Sequence, residues 1–219
     1  LPVPESLHAD YIVPNADGSG YGLFVFDNFD NIPLPTDDLR RFALAMNMYE
    51  NYLAHGIDAK SLSDTMHSWL KAENNALIAS QLVSYWGGAV SAMPDTDRHF
   101  QEQQMWQEYR NATIASVKQR LIRQLYNTVS DESVTYSIYN VWADKSDPLL
   151  SKTDYTQIAY RLAILKPQQW QKILQKQRTR LSDADEIRQF DFISRACTPD
   201  VDEQQRLFNS LLKAENRRI

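Results

Sequence analysis

The sequence predicts a mainly α fold, an irregular α-solenoid of HEAT- or armadillo-like helix pairs that follows a short N-terminal β-hairpin. Apolar residues recur at three- and four-residue spacing over most of the chain beyond residue 36, which indicates amphipathic helices. Helix-start residues return at intervals of about fifteen residues in the last third. Each such helix has one apolar stripe that it cannot bury alone, and stacked antiparallel helix pairs bury those stripes. No clean repeat accompanies the spacing, so the predicted solenoid is irregular.

The hairpin is predicted from alternating apolar residues at positions 10–26, where DYIVP and GLFVF flank a glycine-rich loop. A phosphate-binding loop would lie between a strand and a helix or, in a kinase, would need downstream catalytic motifs that the sequence lacks. A calcium loop of the EF-hand type would need ligands at Val13 and Phe24, which offer no carboxylate. The loop is therefore interpreted as a turn, since glycine tolerates positive φ.

Helices are predicted from residue 36 onward, after the acids and prolines of DNFDNIPLPTDD, which mark a linker. The first helix is expected to be capped by Thr36 and to end at Gly56. Its predicted apolar stripe consists of Leu39, Phe42, Met46, Tyr49 and Leu53. A second helix is expected to start at Asp58, and a third to break at Gly87-Gly88.

The second half of the chain predicts further helices. Residues 98–128 fit one long helix or two helices with a kink near Asn111. Later helix starts are predicted at Thr153, Lys166-Pro167, Ser182 and Thr198-Pro199. Proline at a first helical position loses no hydrogen bond, and Ser182 with Asp185 resembles a capping box. The last helix is expected to carry the apolar stripe Val201, Leu207, Phe208 and Leu211.

Composition and charge exclude several kinds of partner. A net charge of -5 and a pI near 5.4 give no long-range attraction for nucleic acid, so no nucleic-acid partner is predicted. The basic residues of one predicted helix are interpreted as a solvated face: Lys166, Lys172, Lys176, Arg178 and Arg180. No apolar run reaches the roughly 20 residues that cross a bilayer, so no membrane span is predicted. Cys197, the single cysteine, is expected to be a buried, inert thiol.

Catalytic chemistry finds no support in the residue patterns. The four histidines, His8, His55, His67 and His99, lack the paired spacing of a zinc peptidase helix. No nucleophile elbow surrounds a serine, and helical carboxylates such as Glu50 and Glu73 have the spacing of solvated charges. No catalytic, cofactor-binding or metal-binding residue is therefore predicted.

Three stretches of the sequence together resemble one known family. The stretch VPNADGSGYGLFVFD, at residues 13–27, has an Asn and a Gly-x-Gly-Tyr turn before an apolar strand. Residues 40–83 have an Arg, a short Gly turn and a Leu-rich helix followed by Glu73, and residues 182–219 extend the helical pattern. These stretches are similar to the end of the β-sandwich domain and to the C-terminal helical domain of zinc aminopeptidases of the aminopeptidase N family. Gly22-Leu23 departs from the Tyr-Arg pair of better-known members, which indicates a divergent branch.

The resemblance implies a domain organisation and a role. Residues 1–31 would be the β-strand segment at the end of a β-sandwich domain, and residues 32–219 a helical superhelix domain that is truncated at its C-terminus. In the family, this domain is not catalytic; it encloses the active-site chamber and helps admit peptide substrates. Zinc would belong to a catalytic domain outside this segment. The implied partners are the N-terminal and catalytic domains of the same chain and the peptide substrates.

Two other classes of function stay open. A stand-alone helical-repeat scaffold for protein–protein interaction would use aromatic anchors. The candidate anchors are Trp69, Trp86, Trp106, Trp142 and Trp170. A small enzyme with a site assembled from dispersed polar residues would instead show a pocket with clustered acids or histidines.

Overall fold

The computed structural model describes residues 15, 17–20, 22–25, 32 and 34–213, and these residues form an all-α fold. The helices are α1 Asp38–Leu53, α2 Ala59–Ala72, α3 Ala76–Ser91, α4 Asp95–Asn111, α5 Ala115–Thr128, α6 Glu132–Asp144, α7 Lys152–Leu165, α8 Trp170–Arg178, α9 Ala184–Ser194 and α10 Val201–Ser210, with a 3₁₀ turn at Arg195–Cys197 before α10. The predicted helical class is confirmed for this part of the chain. Of the two alternatives for residues 98–128, two helices are correct, and α6 is a helix that the sequence patterns did not predict.

Carboxylate side chains start several helices one residue away from the predicted caps. Asp37 caps α1 in place of Thr36, and Asp183 caps α9 in place of Ser182. Asp200 caps α10 by accepting hydrogen bonds from two backbone N–H groups, which the predicted Thr198-Pro199 start did not anticipate. An ionised carboxylate accepts several such bonds and also favours the positive end of the helix dipole, so it wins over a neighbouring hydroxyl.

Two further helix starts also differ from prediction. Ser151, not Thr153, starts α7, and its hydroxyl and the Asp154 carboxylate form a reciprocal capping box. The Lys166-Pro167 signal opens a turn, and α8 begins only at Trp170. The Asp58 start is confirmed by its bond from the backbone N–H of Ser61.

The third helix continues through Gly87-Gly88 to Ser91, so the predicted break is wrong. Gly88 lies against the ring of Tyr49 on α1, and a Cβ added there would lie 2.8 Å from the Tyr49 hydroxyl oxygen. Tyr49 in turn stacks on Tyr85 of α3, with ring centroids 4.4 Å apart. The glycine therefore serves the close approach of two helices and does not end one.

The face of α1 that is buried differs from the predicted stripe. Leu39 and Leu53 are exposed, whereas Leu44 and Met48 are almost fully buried. Asn51 is also buried, because its side-chain amide donates to the backbone oxygens of Asn47 and Phe24, at 2.7 and 2.8 Å. A buried amide is stable when it is hydrogen-bonded, so counting only apolar residues misplaced this face.

Two compact units divide the chain. The first contains residues 1–101 and 112–120, and the second contains residues 102–111 and 121–219, so α4 and α5 each contribute to both. In the first unit α1, α2 and α3 pack on one another. Its largest fully buried side chains are Leu44, Met48, Leu62, Met66, Leu82 and Trp86.

In the second unit, successive helices pack as chain neighbours: α6 on α7, α7 on α8 and α8 on α9. The 3₁₀ turn contacts α7, α9 and α10. The largest fully buried side chains here are Met105, Leu121, Ile122, Leu125, Ile138 and Trp142. The last helix buries only Leu207 of its predicted stripe, and Val201 and Phe208 are exposed.

The N-terminal hairpin is not seen: its first strand lies outside the described residues, and residues 22–25 form no strand. Backbone groups that a ladder would use are bonded to side chains instead. Asn15 accepts from the N–H of Gly20 at 2.6 Å and donates to its carbonyl, and Phe24 O accepts from Asn51. The predicted turn chemistry is present, with positive φ at Asn15 and Gly18. The domain boundary at residue 31 lies outside the described residues and stays a prediction.

Candidate functional site: a cleft between α7 and α9

A cleft of about 180 Å³ lies between α7 and α9 in the second unit. On α7 it is lined by one face of the helix, with residues spaced three and four apart. On α9 the same spacing recurs, and Leu181 adds to the wall just before that helix. Its lining includes Lys152, Gln157 and Tyr160 from α7, and Glu186, Gln189 and Phe190 from α9.

Two stacked aromatic rings, together with Leu181 and Ile193, form the apolar lining of this cleft. The ring centroids of Tyr160 and Phe190 are 5.3 Å apart, and the ring planes are inclined by 20°. Phe190 is 2% exposed and Tyr160 is 7% exposed, so both rings are part of the packing between the two helices. Burial raises the pKa of Tyr160, and the nearby Cys197 and Asp191 raise it further, so its hydroxyl stays protonated at neutral pH.

The charged and amide side chains that line the cleft are exposed to solvent. Within the described part of the chain, no hydrogen bond or ion pair engages the Lys152 ammonium group, the Glu186 carboxylate or the amides of Gln157 and Gln189. The Tyr160 hydroxyl likewise has no hydrogen-bond partner there. Neighbouring polar groups, by contrast, are paired inside the chain.

Paired groups surround the cleft on both sides. Arg178 binds Asp191 through two hydrogen bonds of 2.7 and 2.9 Å, and Arg188 pairs with Asp185. The hydroxyl of Thr156, on the cleft wall, accepts from Gln177 at 3.1 Å. The charged and amide side chains of the cleft wall without such a partner are exposed to solvent.

A second polar cluster, around Asp154, has the chemistry of a structural site. Arg123 donates to both Asp154 oxygens at 2.8 and 3.1 Å, and the Tyr126 hydroxyl donates at 3.1 Å. Burial pushes the pKa of Asp154 upward, but the bonds from Arg123 and Ser151 outweigh burial and hold that pKa at about 2. Asp154 also accepts from the backbone N–H of Ser151 and so completes the capping box at the start of α7.

Tyr109 and Asp147 form a third cluster, which closes the loop between α6 and α7. The Tyr109 hydroxyl donates to the Asp147 carboxylate, which also accepts from the backbone N–H of Leu149 at 2.8 Å. The Tyr155 hydroxyl donates to the backbone oxygen of Asp147. Burial, together with the bond to Asp147, raises the pKa of Tyr109. These groups hold the loop, and none of them lines the α7–α9 cleft.

Residues singled out by the sequence are not brought together as a site. His67 stacks on Trp86 at 4.4 Å, and His55 is exposed at the end of α1. His8 lies outside the described residues, and among those described no group of three His, Cys, Asp or Glu residues is arranged to hold a metal ion. Glu73 is bound by Arg41, with Nε to Oε2 at 2.8 Å.

Among the described residues, the helices are too short or too polar for one to cross a bilayer.

The expected surface and core residues divide clearly. Trp69, Trp86 and Trp142 are buried, whereas Trp106 and Trp170 are half-buried.

The predicted basic face is exposed at Lys172, Lys176 and Arg178, but the Arg180 side chain is half-buried. Its guanidinium group lies 4.8 Å from the Trp142 ring and donates to the backbone oxygens of Trp142 and Ala143. Cys197 is buried as expected, and burial raises its pKa to about 11.

Comparisons with protein-family models, with curated proteins and with solved structures give no match to this chain. The resemblance to zinc aminopeptidases therefore stays a prediction from the sequence. Sequence patterns missed the α7–α9 cleft, because its residues form no linear motif and meet only when the two helices pack. The two helices share no linear signal for it, since Gln157 precedes Tyr160 by three residues and Gln189 precedes Phe190 directly.

Proposed function

We propose that this chain is the substrate-enclosing helical domain of a zinc aminopeptidase of the aminopeptidase N type, joined to the last strand of a β-sandwich domain. The domain is an irregular α-solenoid that encloses the active-site chamber and helps admit peptides. Support for this architecture comes from the packing of successive helices as neighbours. Catalysis and zinc belong to other domains of the same polypeptide, and no residue of this segment takes part in the chemistry.

The observation that carries the proposal is the joint between the leading segment and the first helices. Arg41 on α1 donates to the backbone oxygens of Pro35 and Thr36, at 3.2 and 2.7 Å, and to both oxygens of Glu73. Arg41 is a residue of the stretch that resembles the family, and Glu73 follows its Leu-rich helix. A guanidinium group with several fixed partners holds a rigid direction, which a domain that covers a distant site needs.

The test has two arms. We expect the purified chain to leave an aminoacyl reporter uncleaved with or without added zinc, and we expect the reading frame on its 5′ side to encode a zinc-binding motif with paired histidines and a glutamate. Zinc-dependent cleavage by this chain alone would contradict the proposal. So would a gene that encodes only this chain.

A helical scaffold for protein–protein interaction is the second candidate, and one observation favours it. Val201, Phe208 and Leu212 share one side of α10 and its C-terminal extension and are 65–75% exposed. An apolar stripe of this kind is typical of helices that pack against a partner. The buried tryptophans argue the other way, since three of the five candidate anchors belong to the core. The reading-frame test separates the two candidates.

A further inference from the structure

One side of α1 has apolar side chains that the described part of the chain leaves exposed or half-buried. We propose that this side is the docking surface for the domain that precedes the helices in the same polypeptide. The surface consists of Leu39, Phe42, Met46 and Leu53, and we call it the outer stripe of α1. This docking rests on the proposed function, which supplies the preceding domain.

The outer stripe follows helical spacing. Its members are three, four and seven residues apart, so they lie on one side of the helix over about 21 Å. Leu39 is 58% exposed, Phe42 is 37% exposed and Leu53 is 59% exposed, and Met46 is half-buried. Single exposed leucines are ordinary on a protein surface, whereas an apolar row along a whole helix is typical of a surface that packs against a partner.

The packing of α1 on α2 and α3 uses a different side of the helix. Leu44 and Met48 belong to that side and are almost fully buried. A surface helix of a soluble protein normally has one apolar stripe, which faces the core. The outer stripe is therefore apolar surface in excess of what the first unit needs, and a partner outside the described residues accounts for it.

The leading segment identifies the partner. The Asn51 amide donates to the backbone oxygen of Phe24 at 2.8 Å, and Arg41 donates to the backbone oxygens of Pro35 and Thr36. Arg41 and Asn51 are about 15 Å apart along α1, so the leading segment is attached near both ends of the helix. The interface between the leading segment and α1 thus continues along the helix that has the outer stripe.

A compact loop fixes the attachment at the C-terminal end of α1. The Asn15 side chain accepts from the N–H of Gly20 at 2.6 Å and donates to its carbonyl oxygen at 3.3 Å. Asn51, which holds Phe24, lies in the same last turn of α1 as Leu53. A domain joined through this loop needs to extend only about one helix diameter, roughly 10 Å, to lie over the outer stripe.

The covalent connection favours the preceding domain over other occupants. A short connection gives an effective concentration of the order of millimolar, so even a small apolar contact is occupied. A second copy of this chain has no such connection and would compete only at high protein concentration.

Thiol labelling in two lengths of the polypeptide tests the docking. Leu39→Cys and Leu53→Cys each place a thiol on the outer stripe, and Tyr136→Cys on α6, at a position that is 61% exposed, is the matched control. Cys197 is buried and should react slowly in both polypeptides. We expect the stripe thiols to react at least about tenfold more slowly when the preceding domain is present, and the control to change by less than about twofold. Mass spectrometry of the labelled peptides measures each rate.

A charge on the outer stripe links this protection to docking. Leu39→Asp puts a carboxylate where docking would remove water from it. In the longer polypeptide, the thiol of Leu53→Cys should then react within about twofold of its rate in this chain alone. Tyr136→Asp, the matched control, should leave that thiol protected. Neither aspartate should shift the urea midpoint of this chain alone, because both positions are exposed.

The possible results separate this docking from the proposed function. A preceding domain that has a zinc-binding motif but leaves the stripe thiols reactive would overturn the docking alone. A preceding domain that lacks the motif but protects those thiols would support the docking and contradict the proposed function. A reading frame without a preceding domain would overturn both. Slower labelling of this chain alone at higher protein concentration would assign the outer stripe to a second copy and overturn the docking.

Discussion

At the scale of single residues, the end of α1 has a non-glycine residue in a left-handed conformation. His55 has φ of 62°, and the N–H groups of His55 and Gly56 donate to Tyr52 and Asn51 in a Schellman motif. The sequence predicted that Gly56 ends the helix, but the adjacent residue adopts positive φ. A side chain in this conformation costs about 1–2 kcal/mol, which glycine avoids.

His55→Gly should therefore stabilise the protein. The relief of about 1–2 kcal/mol is partly offset by about 0.4–1 kcal/mol of extra chain entropy in the unfolded state, so the net gain is about 0.5 kcal/mol or slightly more. Urea unfolding followed by circular dichroism measures it. Ala54→Gly is the matched control, because Ala54 has φ of -87°, and it should destabilise. A loss of stability in His55→Gly would show that the imidazole makes a contribution that outweighs the strain.

Asp154 makes stability depend on pH in the acid range. Its pKa in the folded state, about 2, lies below the ordinary value of 3.8, so its ionised form stabilises the fold above pH 4. That contribution is lost as the pH falls from about 4 to about 2. We expect a loss of about 1–2 kcal/mol, reduced by solvent around Arg123, whose side chain is 43% exposed.

The comparison with Asp154→Asn isolates this effect from the other carboxylates. Between pH 5 and pH 2 the free energy of unfolding of the unmodified chain should fall more steeply than that of the variant. Chemical unfolding at four pH values in this range measures both slopes. Parallel slopes would mean that Asp154 is not held ionised by Arg123.

At the scale of elements, the contact between α1 and α3 depends on Gly88. Gly88→Ala should gain up to about 1 kcal/mol from helix propensity, but its Cβ would lie 2.8 Å from the Tyr49 hydroxyl oxygen and 3.2 Å from Cε2. The Tyr49 ring cannot move freely, because it stacks on Tyr85. We expect a net destabilisation of about 1 kcal/mol in urea unfolding.

The Tyr49→Phe background is the control for this contact. It removes the hydroxyl oxygen that lies nearest to the added Cβ, so Gly88→Ala should cost less there than in the unmodified chain. A double-mutant cycle measures the coupling between the two positions. Zero coupling would show that the destabilisation by Gly88→Ala does not come from contact with the Tyr49 hydroxyl.

Sequence patterns predicted most elements and missed the details that polar groups decide. Apolar periodicity located the helices, because burial of a stripe dominates helix formation in a folded protein. It misplaced the buried face of α1, where Asn51 is inside and Leu39 is outside. It also read Gly88 as a stop signal, since spacing along one helix carries no information about the partner helix. Sequence patterns did not predict the α7–α9 cleft for the same reason.

At the scale of the whole molecule, α4 and α5 contribute residues to both compact units. Helices shared in this way link the unfolding of one unit to that of the other, so we expect a single cooperative transition. Cys197 is a probe of the second unit, since it is buried and its pKa is raised to about 11. The buried tryptophans of the first unit, Trp69 and Trp86, are the other probe.

Thiol labelling of Cys197 and tryptophan fluorescence should report the same urea midpoint. The protected thiol should react at least about a hundredfold more slowly in the native protein than in the unfolded chain, because burial removes both access and thiolate. Replacing Trp106, Trp142 and Trp170, which all belong to the second unit, by Phe would assign the fluorescence to Trp69 and Trp86 of the first unit. Two separate midpoints would show that the units unfold independently.

Arg180 has a consequence for how natural variation in this protein should be interpreted. Its two terminal nitrogens each donate to one of the last backbone oxygens of α6, both at 2.9 Å, and its guanidinium carbon lies 4.8 Å from the centre of the Trp142 ring. A lysine at this position would preserve the formal charge and lose the fork that bridges two carbonyls. A homologous sequence with lysine at this position would therefore have a less stable C-terminal end of α6. An alignment that compares only charge would count the position as unchanged.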